Sequence, residues 1–470
     1  MIILGTNSIK AAGGFNVANS CRFNGTSSDY LTKTPSSSGN RKTWTASVWL
    51  KGQPSTTTNN IAGQAVYSAG SAATDRTHFY FTNGIFEFRS EIGNTQQIIT
   101  TNQVFTDPSA WYHIVVAVDS TQSTDTNRVK IYANGVQITS FSAAAYLAQN
   151  ADTYVNHTVI QTVGRSSWVA NQASGSYWNG YMAEFVLLDG TAATPTDFGE
   201  FDGDSGIWKP IDVSGLTAGT NGFYLDFEDS ANLGNDAFGG TDLDEYNLTA
   251  VDQSTDTCTN NFATLNPLSV NSDQGTFSEG NLQLLHGSNA FRTGFASIGA
   301  SQGKWYCEIK RVTATSFAVG VISLDFKSIT PNITYMGGVG TPNLGYFRDG
   351  NTGVNGSETS GYASYADGDT LMIGLDLDNG KVYFGKNGTW GNSGDPTSGA
   401  TGTGARSITV GGETWSFGVS VYNATAQCNF GSPPYAISSG NTDGDGFGNF
   451  EYAVPSGYFS LCTKNLAEYG

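Results

Sequence analysis

One stretch near the end of the chain has the ligand spacing of a calcium-binding loop. The stretch NTDGDGFGNFEY runs from Asn441 to Tyr452. Oxygen-bearing side chains stand at the first, third, fifth and ninth positions: Asn441, Asp443, Asp445 and Asn449. The twelfth position, where such loops carry a bidentate Glu, holds Tyr452. The sequence therefore leaves two alternatives, a solvated Gly-Asp turn or a weak calcium site, and it indicates no other cofactor.

The acids and histidines do not form a recognisable catalytic group. No stretch has the Glu-x-Asp-x-Glu spacing that puts paired acids on one face of a strand. Glu87 and Glu91 share a strand face, but four residues of strand rise separate them by about 13 Å, too far for glycoside hydrolysis. The histidines occur singly, at His78, His113, His157 and His286, and no nucleophile elbow is present. We therefore expect a protein that is not an enzyme.

Several aromatic residues lie in turn-rich stretches, where an exposed ring could stack on a sugar. The candidate ligand-binding residues are Trp168, Trp178, Tyr346, Tyr362 and Trp390. The alternative for each is packing within a core or a turn. Trp44 and Trp305 fall in apolar strands, and we expect them in cores.

The charge distribution argues against nucleic acid and anionic lipid as partners. The 470-residue chain has a net charge of -18, which argues against binding to nucleic acid or to anionic lipid. No Lys or Arg occurs between Lys209 and Arg292, whereas nine acids fall between Asp226 and Asp256. We expect the acidic residues 231–268 to form a solvated, irregular connector.

The composition is that of a strand-rich and turn-rich protein. Charged residues are only 13% of the chain, aromatic residues reach 12%, and 59 residues are Gly. No apolar run approaches the 18 residues of a membrane span, so we expect no membrane insertion. The start, MIILGTNSIKAAGGF, lacks the pattern of a signal peptide, and the five cysteines lack paired spacing. We expect a protein made in the cytoplasm, without a disulfide framework or a zinc site.

One pattern of a strand and a turn occurs twice. VKIYANG runs from Val129 to Gly135, and VYFGKNG runs from Val382 to Gly388. Asn-Gly between apolar runs is the strongest short-range hairpin signal. A second apolar run precedes each, WYHIVVAVD in the first half and DTLMIGLDLDNG in the second. The repeat predicts an all-β chain of two antiparallel β-sandwiches.

The first half resembles the laminin G-like, or concanavalin-like, jelly roll. The pieces CRFNGTSSDYLT, WTASVWLK, WYHIVVAVD, VKIYANG, VGRS and WNGYMAEFVLLDG occur in the order typical of that family. The resemblance implies a sandwich over residues 21–230. Members of the family often bind carbohydrate or calcium on the concave face or at the rim loops.

The second half resembles a SPRY domain over residues 269–435. The matching pieces are GKWYCEIKRV, FAVGVI, GDTLMIGLDLDNGKVYFGKNG and WSFGVSVYNATAQCNFG. The resemblance implies a curved sandwich that binds partners through loops at one end. Residues 436–470 then form a C-terminal extension.

Three further segments resemble tail-fibre-like proteins of bacteriophages, particularly those of marine hosts. They are GTNGFYLDFEDSANLGNDAFGG, DTCTNNFATLNPL and GYFSLCTKNLAEYG. The resemblance implies a virion surface protein, either a tail fibre or a capsid-decorating fibre, that recognises a host-surface glycan or protein. It also implies a homo-oligomer, a trimer before a monomer, whose N-terminal arm (residues 1–20) docks onto other virion proteins. The alternatives are a bacterial surface adhesin or carbohydrate-binding protein and, third, a polysaccharide-degrading enzyme.

Overall fold

The computed structural model describes residues 14–52, 64–167, 176–268, 275–324 and 334–470. The described residues up to Thr259 form one compact unit, and those from Asn260 to Gly470 form a second. Trp168 and residues 1–13 of the expected N-terminal arm lie outside the described residues.

The described part of the first unit contains eighteen strands and three short 3₁₀ helices. The strands are β1 (Ser20–Phe23), β2 (Tyr30–Lys33), β3 (Thr43–Gly52), β4 (Gln64–Ala72), β5 (Asp75–Thr82), β6 (Ile85–Ile92), β7 (Thr95–Val104), β8 (Tyr112–Asp119), β9 (Val129–Ala133), β10 (Val136–Gln137), β11 (Phe141–Ala144), β12 (Gln161–Val163), β13 (Gly180–Asp189), β14 (Gly199–Phe201), β15 (Trp208–Pro210), β16 (Phe223–Leu225), β17 (Asp244–Tyr246) and β18 (Gln253–Ser254). The 3₁₀ helices are Asp125–Asn127, Pro195–Asp197 and Ala250–Asp252.

Two antiparallel sheets form the first sandwich. One has the order β10-β9-β8-β3-β13-β1-β18, with β16 also paired to β13. The other, which we call the lower sheet, has the order β11-β7-β6-β5-β4-β12-β2-β17. A separate two-stranded pair joins β14 and β15.

The core of the first unit lies between these two sheets. On β3, Trp44, Ala46, Val48 and Leu50 alternate toward this core, as the sequence predicts. The opposite face of β3 is also buried, because Trp49 packs in a second cluster with Trp208 and other apolar residues. The sheet that contains β3 is therefore covered on both faces.

The repeated Asn-Gly pattern forms the predicted hairpins. Asn134 and Gly135 join β9 to β10 with φ angles of 47° and 79°. Asn387 and Gly388 have φ angles of 48° and 82° and join the corresponding hairpin of the second unit. Both central residues lie in the left-handed region that a type I′ turn requires.

The described part of the second unit contains thirteen strands, one 3₁₀ helix and one α-helix. The strands are β19 (Thr276–Ser278), β20 (Gln283–His286), β21 (Arg292–Phe295), β22 (Lys304–Ser323), β23 (Asn343–Phe347), β24 (Thr352–Val354), β25 (Ser357–Thr359), β26 (Thr370–Asp376), β27 (Lys381–Lys386), β28 (Thr389–Trp390), β29 (Arg406–Ser407), β30 (Trp415–Asn429) and β31 (Phe459–Ser460). The helices are the 3₁₀ helix Pro396–Thr401 and α1 (Thr463–Tyr469).

Two long strands organise the second unit. β22 pairs with β30 along most of its length, with β26 through its first half and with β23 through its second half. Its core contains Trp305, as the sequence predicts, together with apolar residues of β26, β27 and β30. β31 adds a short parallel pairing to β22, so the C-terminal residues belong to this sheet.

The acidic residues 231–268 differ from the expected connector. Residues up to Thr259 pack in the first unit, where β17 pairs with β2 and β18 pairs with β1. Residues from Asn260 belong to the second unit, as do residues 436–470, which were expected as an extension. The domain boundary therefore falls between Thr259 and Asn260, because the acidic segment supplies strands that close the first sandwich.

The predicted fold class is confirmed: the chain is nearly all β, with antiparallel sheets and a concanavalin-like fold. Helix accounts for 5% of the chain and strand for 44%. Among the residues described, no helix has the length and apolar character of a membrane span.

Candidate functional site

The carboxylate of Asp443, the central residue of the predicted calcium loop, is already surrounded by donors from the protein. One oxygen accepts from the backbone N–H groups of Asp445 (3.0 Å) and Phe447 (2.9 Å). The other accepts from the N–H (2.9 Å) and Oγ (2.6 Å) of Ser460 and from Nδ2 of Asn465 (2.8 Å). Asp443 is 6% exposed. This geometry gives Asp443 a structural role, since five donors use the lone pairs that a cation would need.

The other three predicted calcium ligands do not converge on Asp443. Asn441 turns its Nδ2 toward the backbone oxygens of Phe450 (3.4 Å) and Glu451 (3.0 Å). Asp445 is exposed and accepts from the hydroxyl of Tyr469 (3.3 Å), and Asn449 pairs through its backbone. No group of three or more His, Cys, Asp or Glu that could hold a metal occurs in the described residues. Calcium binding stays a prediction, which rests on the sequence pattern alone.

The described aromatic candidates are mostly packed inside their units. Trp178 is 4% exposed within the first core, and Tyr346 is 1% exposed within the second. Tyr362 is half-buried, and its hydroxyl donates to the backbone oxygen of Gly404 (2.8 Å). Trp390 is half-buried beside Tyr306 and Tyr383. These contacts leave Tyr362 and Trp390 with part of a ring exposed, and Trp178 and Tyr346 with almost none.

Four other aromatic side chains form a half-exposed cluster on the second unit, which we call the aromatic patch: Phe291, Tyr335, Phe347 and Tyr422. The ring of Phe291 lies 5.0 Å from that of Tyr335 and 5.2 Å from that of Tyr422. Tyr335 continues the chain of contacts to Phe347, at 5.9 Å between centroids. The patch is thus a continuous aromatic surface in partial contact with solvent.

The strands and two glycines position the aromatic patch. Tyr422 lies on β30, where the alternation that buries Val421 turns the next side chain outward. Phe347 ends β23, and its ring lies where a Cβ on Gly337 or Gly353 would come within 2.6 Å and 2.5 Å. Only glycine at both positions leaves room for the ring. A periodic reading of β30 could have found Tyr422, whereas Tyr335 lies in a loop with no such signal.

Polar groups border the aromatic patch. Arg348, next to Phe347, is exposed and donates to the backbone oxygen of Thr315 (2.6 Å). Asn423, next to Tyr422, is exposed and donates to Oγ1 of Thr315 (3.2 Å). An aromatic centre with a polar rim is the usual composition of a recognition surface.

The two strand carboxylates of the first unit are held in ion pairs on the outer face of the lower sheet. Glu87 accepts from Nε of Arg89 (2.8 Å), from the hydroxyl of Tyr80 and from Oγ1 of Thr100 (3.1 Å). Glu91 pairs with Arg76 at 3.1 Å. These partners hold the carboxylates in place across neighbouring strands.

The His113 ring packs between two tryptophan rings of the first unit. Its ring stacks on Trp49 (4.8 Å) and Trp208 (5.9 Å). Nε1 of Trp208 donates to Nδ1 of His113 (2.9 Å), so Nε2 carries the proton and donates to Oγ of Ser47 (2.8 Å). Burial lowers the pKa of His113 to about 3. The imidazole is therefore neutral, and both of its nitrogens are hydrogen-bonded.

A buried acid that the sequence did not indicate lies on β13. Glu184 is 6% exposed and has a φ of 50°, at an irregularity in the pairing of β13 with β3. Burial raises its pKa to about 8, and the hydroxyl of Tyr224 donates to one of its oxygens (2.6 Å). Its position within the apolar run YMAEFVLL is a signal that could have indicated burial.

The first unit has a concanavalin-like sandwich fold. Residues 24–197 match the family model described as the concanavalin A-like lectin/glucanases superfamily. The match covers most of the first unit and does not extend into the second. No curated protein matches the chain.

Solved structures similar to the chain include SPRY domains and a pair of laminin domains. The SPRY domain of human HERC1 is 20% identical and covers 35% of this chain and 96% of its own, with a TM-score of 0.26. The TRIM65 PSpry domain is 18% identical and covers 36% and 91%, with a TM-score of 0.27. The LG4-5 domains of mouse laminin alpha1 are 10% identical and cover 89% of both chains, with a TM-score of 0.31.

Proposed function

We propose that this chain is a recognition protein of a bacteriophage virion, a tail fibre or a capsid-decorating fibre. It binds a glycan or protein of the host surface through exposed side chains of its sandwiches and performs no covalent chemistry. The observation that carries the proposal is the aromatic patch, together with the lectin-type superfamily match of residues 24–197.

The aromatic patch suits recognition because its rings are ordered before a ligand arrives. Phe291, Tyr335 and Tyr422 are half-buried, and they contact one another rather than only solvent. Aromatic rings present a large contact area at little cost in side-chain entropy, and their faces attract the C–H groups of a sugar. Such a surface binds either a glycan or an apolar protein patch.

The virion setting is supported by the sequence resemblance of three segments to phage fibre proteins. An acidic chain that folds in the host cytoplasm and is displayed on a particle also accounts for the five free cysteines, all of which are buried. We propose that residues 1–20 dock onto other virion proteins and that the fibre is a trimer. Three copies raise the effective concentration of a weak site at a cell surface.

Adsorption to susceptible cells tests the proposal. The purified protein should bind such cells and block infection in competition with intact particles. Replacing Tyr422 and Tyr335 together by Ala should weaken adsorption about tenfold or more, because both rings leave the aromatic patch. Replacing Tyr132, a half-buried tyrosine of β9 in the first unit, serves as the matched control.

Three outcomes would contradict the proposal. If the protein did not adsorb to cells, its role in the particle would be purely structural. If it released oligosaccharides from the cell surface, it would be an enzyme. Purified phage particles can be analysed by mass spectrometry. If this chain were not among their proteins, the alternative of a bacterial adhesin would be favoured.

A further inference from the structure

One buried cation of the first unit lacks the partner that the others have. Four Lys or Arg residues are buried in the described part of the chain: Arg22, Lys51, Arg165 and Arg311. Three of them form ion pairs: Arg22 with Asp252 (3.3 Å), Lys51 with Asp256 (2.6 Å) and Arg311 with Asp367 (2.8 Å). Arg165, which is 9% exposed, pairs with no carboxylate among the described residues. Since buried charges are normally paired, this guanidinium is a candidate to pair with an anion from outside the chain.

Arg165 is held against aromatic rings instead of an acid. Its guanidinium carbon lies 3.9 Å from the centre of the Tyr30 ring. Tyr246 stacks on Tyr30 at 4.4 Å with an interplanar angle of 7°. Tyr177 approaches Tyr30 at 6.4 Å, tilted by 48°. The buried Nε of Arg165 has no hydrogen-bond partner within the described residues.

The lower sheet sets this arrangement. Tyr30 lies on β2, which is paired on one side with β12 and on the other with β17. Arg165 follows β12 and Tyr246 belongs to β17, so the two reach Tyr30 from opposite sides. An isolated antiparallel β-bridge between Arg165 and Tyr177 holds Tyr177 beside the other three residues. Tyr246 is 44% exposed and Tyr177 is half-buried, so both present part of a ring to solvent, whereas the ring of Tyr30 lies between Arg165 and Tyr246.

We infer that Arg165, Tyr30, Tyr177 and Tyr246 form a binding site for an acidic saccharide. The guanidinium pairs with the carboxylate of a uronate unit through two parallel N–H donors, which is the geometry that Arg offers and Lys does not. The C–H face of an adjoining sugar unit lies against the exposed part of the Tyr246 ring. The inference deepens the proposed function, on which it rests, by assigning a chemical class of ligand to the first unit.

Asp244 and Glu245 precede Tyr246 on β17, so some acids of the chain lie near the proposed site, whereas the others oppose such a ligand at longer range. At physiological ionic strength, interactions between exposed charges are screened beyond about 8 Å. A contact pair at a buried guanidinium is screened much less. Higher ionic strength therefore weakens repulsion by the net charge of -18 more than it weakens the contact pair.

Isothermal titration of the full chain with tetragalacturonate tests the inference, with neutral laminaritetraose as the matched ligand. The wild-type chain should bind the acidic tetrasaccharide at least about tenfold more tightly than the neutral one, as expected for a charge-assisted bidentate pair. Arg165→Gln should abolish that preference, and Arg165→Lys should restore only part of it. Lys130→Gln, which removes the same charge from β9, should leave it unchanged.

Substitutions at Tyr246 keep the test independent of folding, because that side chain is largely exposed. Tyr246→Ala should weaken binding of both tetrasaccharides, and Tyr246→Phe should retain it. A sulfated tetrasaccharide tests the breadth of the site: binding stronger than that of tetragalacturonate would overturn the assignment to carboxylates. Equal affinity for acidic and neutral sugars in the wild-type chain, or an acidic preference that survives Arg165→Gln, would overturn the inference.

Adsorption to cells separates this inference from the proposed function. A chain that adsorbs to host cells but shows no preference for tetragalacturonate refutes the acidic-saccharide site and leaves host recognition standing. A chain that binds tetragalacturonate through Arg165 but does not adsorb retains the site and refutes the host-attachment role.

Discussion

Two buried acids hold the C-terminal residues on the second unit. Asp443 accepts hydrogen bonds from Ser460 and Asn465, which lie 17 and 22 residues further along the chain. Glu308 on β22 accepts from the backbone N–H groups of Glu451 (3.0 Å) and Tyr452 (2.8 Å). A local motif indicates oxygen ligands but not which donors reach them from a distance. For this reason the sequence could indicate Asp443 as unusual without indicating its structural role.

We expect Asp443→Ala to destabilise the second unit by about 2 kcal/mol or more, because five donors lose their acceptor in a buried site. Urea unfolding followed by tryptophan fluorescence measures the change. The same experiment in EDTA separates a structural role from calcium binding. If the wild-type chain in EDTA became as unstable as the variant, a bound cation would be the source of the stability.

Glu184 should make the stability of the first unit fall as pH rises. Its pKa is about 8 in the folded chain, against an ordinary value of 4.5. The folded chain thus keeps a proton that the unfolded chain releases above pH 4.5, so the contribution of Glu184 decreases between pH 4.5 and 8. The slope for one such group is about 1.4 kcal/mol per pH unit at most.

Glu184→Gln should remove this slope, so that the variant gains stability over the wild-type chain more at pH 8 than at pH 5. Urea midpoints across this range give the measurement. Glu200→Gln, at an exposed acid of β14, is the control. An unchanged pH dependence in Glu184→Gln would mean that other groups set it.

The sequence predicted the hairpins well. It did not predict the pairing of strands that lie far apart along the chain. The Asn-Gly turns at Asn134 and Asn387 carry their own local signal, and both are confirmed. β17 has the sequence Asp244–Tyr246, whose two acids resemble a solvated segment, yet it forms an edge of the lower sheet. Its partner, β2, lies more than 200 residues earlier. Pairing over such a distance leaves no pattern within either strand.

Gly135→Ala should cost more stability than Gly93→Ala, although both residues have a left-handed φ. A Cβ on Gly135 would lie 2.3 Å from the Trp208 ring, whereas a Cβ on Gly93 meets nothing within 4 Å. We expect about 1 kcal/mol for Gly93→Ala from backbone strain alone, and at least about 2 kcal/mol for Gly135→Ala, since a ring must move. Thermal unfolding compares the two variants. Equal losses of stability in the two variants would show that the Trp208 ring can move without a measurable free-energy cost.

At the scale of the whole molecule, the boundary between the two units depends on which sandwich receives the last strands of the acidic segment. The sequence predicted two sandwiches because each half has its own strands and Asn-Gly hairpin. It placed the end of the first at residue 230, because an acidic stretch without cations is typical of a connector. Asp256 in that stretch is instead fully buried, with Lys51 at 2.6 Å and Nε1 of Trp111 at 3.2 Å. This internal ion pair, together with the pairing of β17 and β18, joins the segment to the first unit.

A fragment of residues 11–259 should fold by itself, whereas a fragment of residues 11–230 should not. The shorter fragment lacks β17, β18 and Asp256, so Lys51 would be buried without a counter-charge. Loss of one partner of a buried pair costs about 3–5 kcal/mol, a large part of the stability of a domain. Circular dichroism and urea titration of the two fragments make the comparison.

In the full chain, Asp256→Asn should reproduce part of this loss. A stable fragment of residues 11–230 would instead return the acidic segment to the role of a connector.

The position of β1 in its sheet has a consequence for how the chain is made. β1 lies between β13 and β18, so its two neighbours are separated from it by about 160 and 230 residues of chain. Translation at about 5–20 residues per second leaves β1 without its last partner for on the order of 10–50 s. Throughout that interval the nascent first sandwich presents open strand edges to other ribosome-bound copies. Slower translation or a lower temperature of expression therefore changes the balance between completed sandwiches and aggregated nascent chains, independently of the stability of the finished protein.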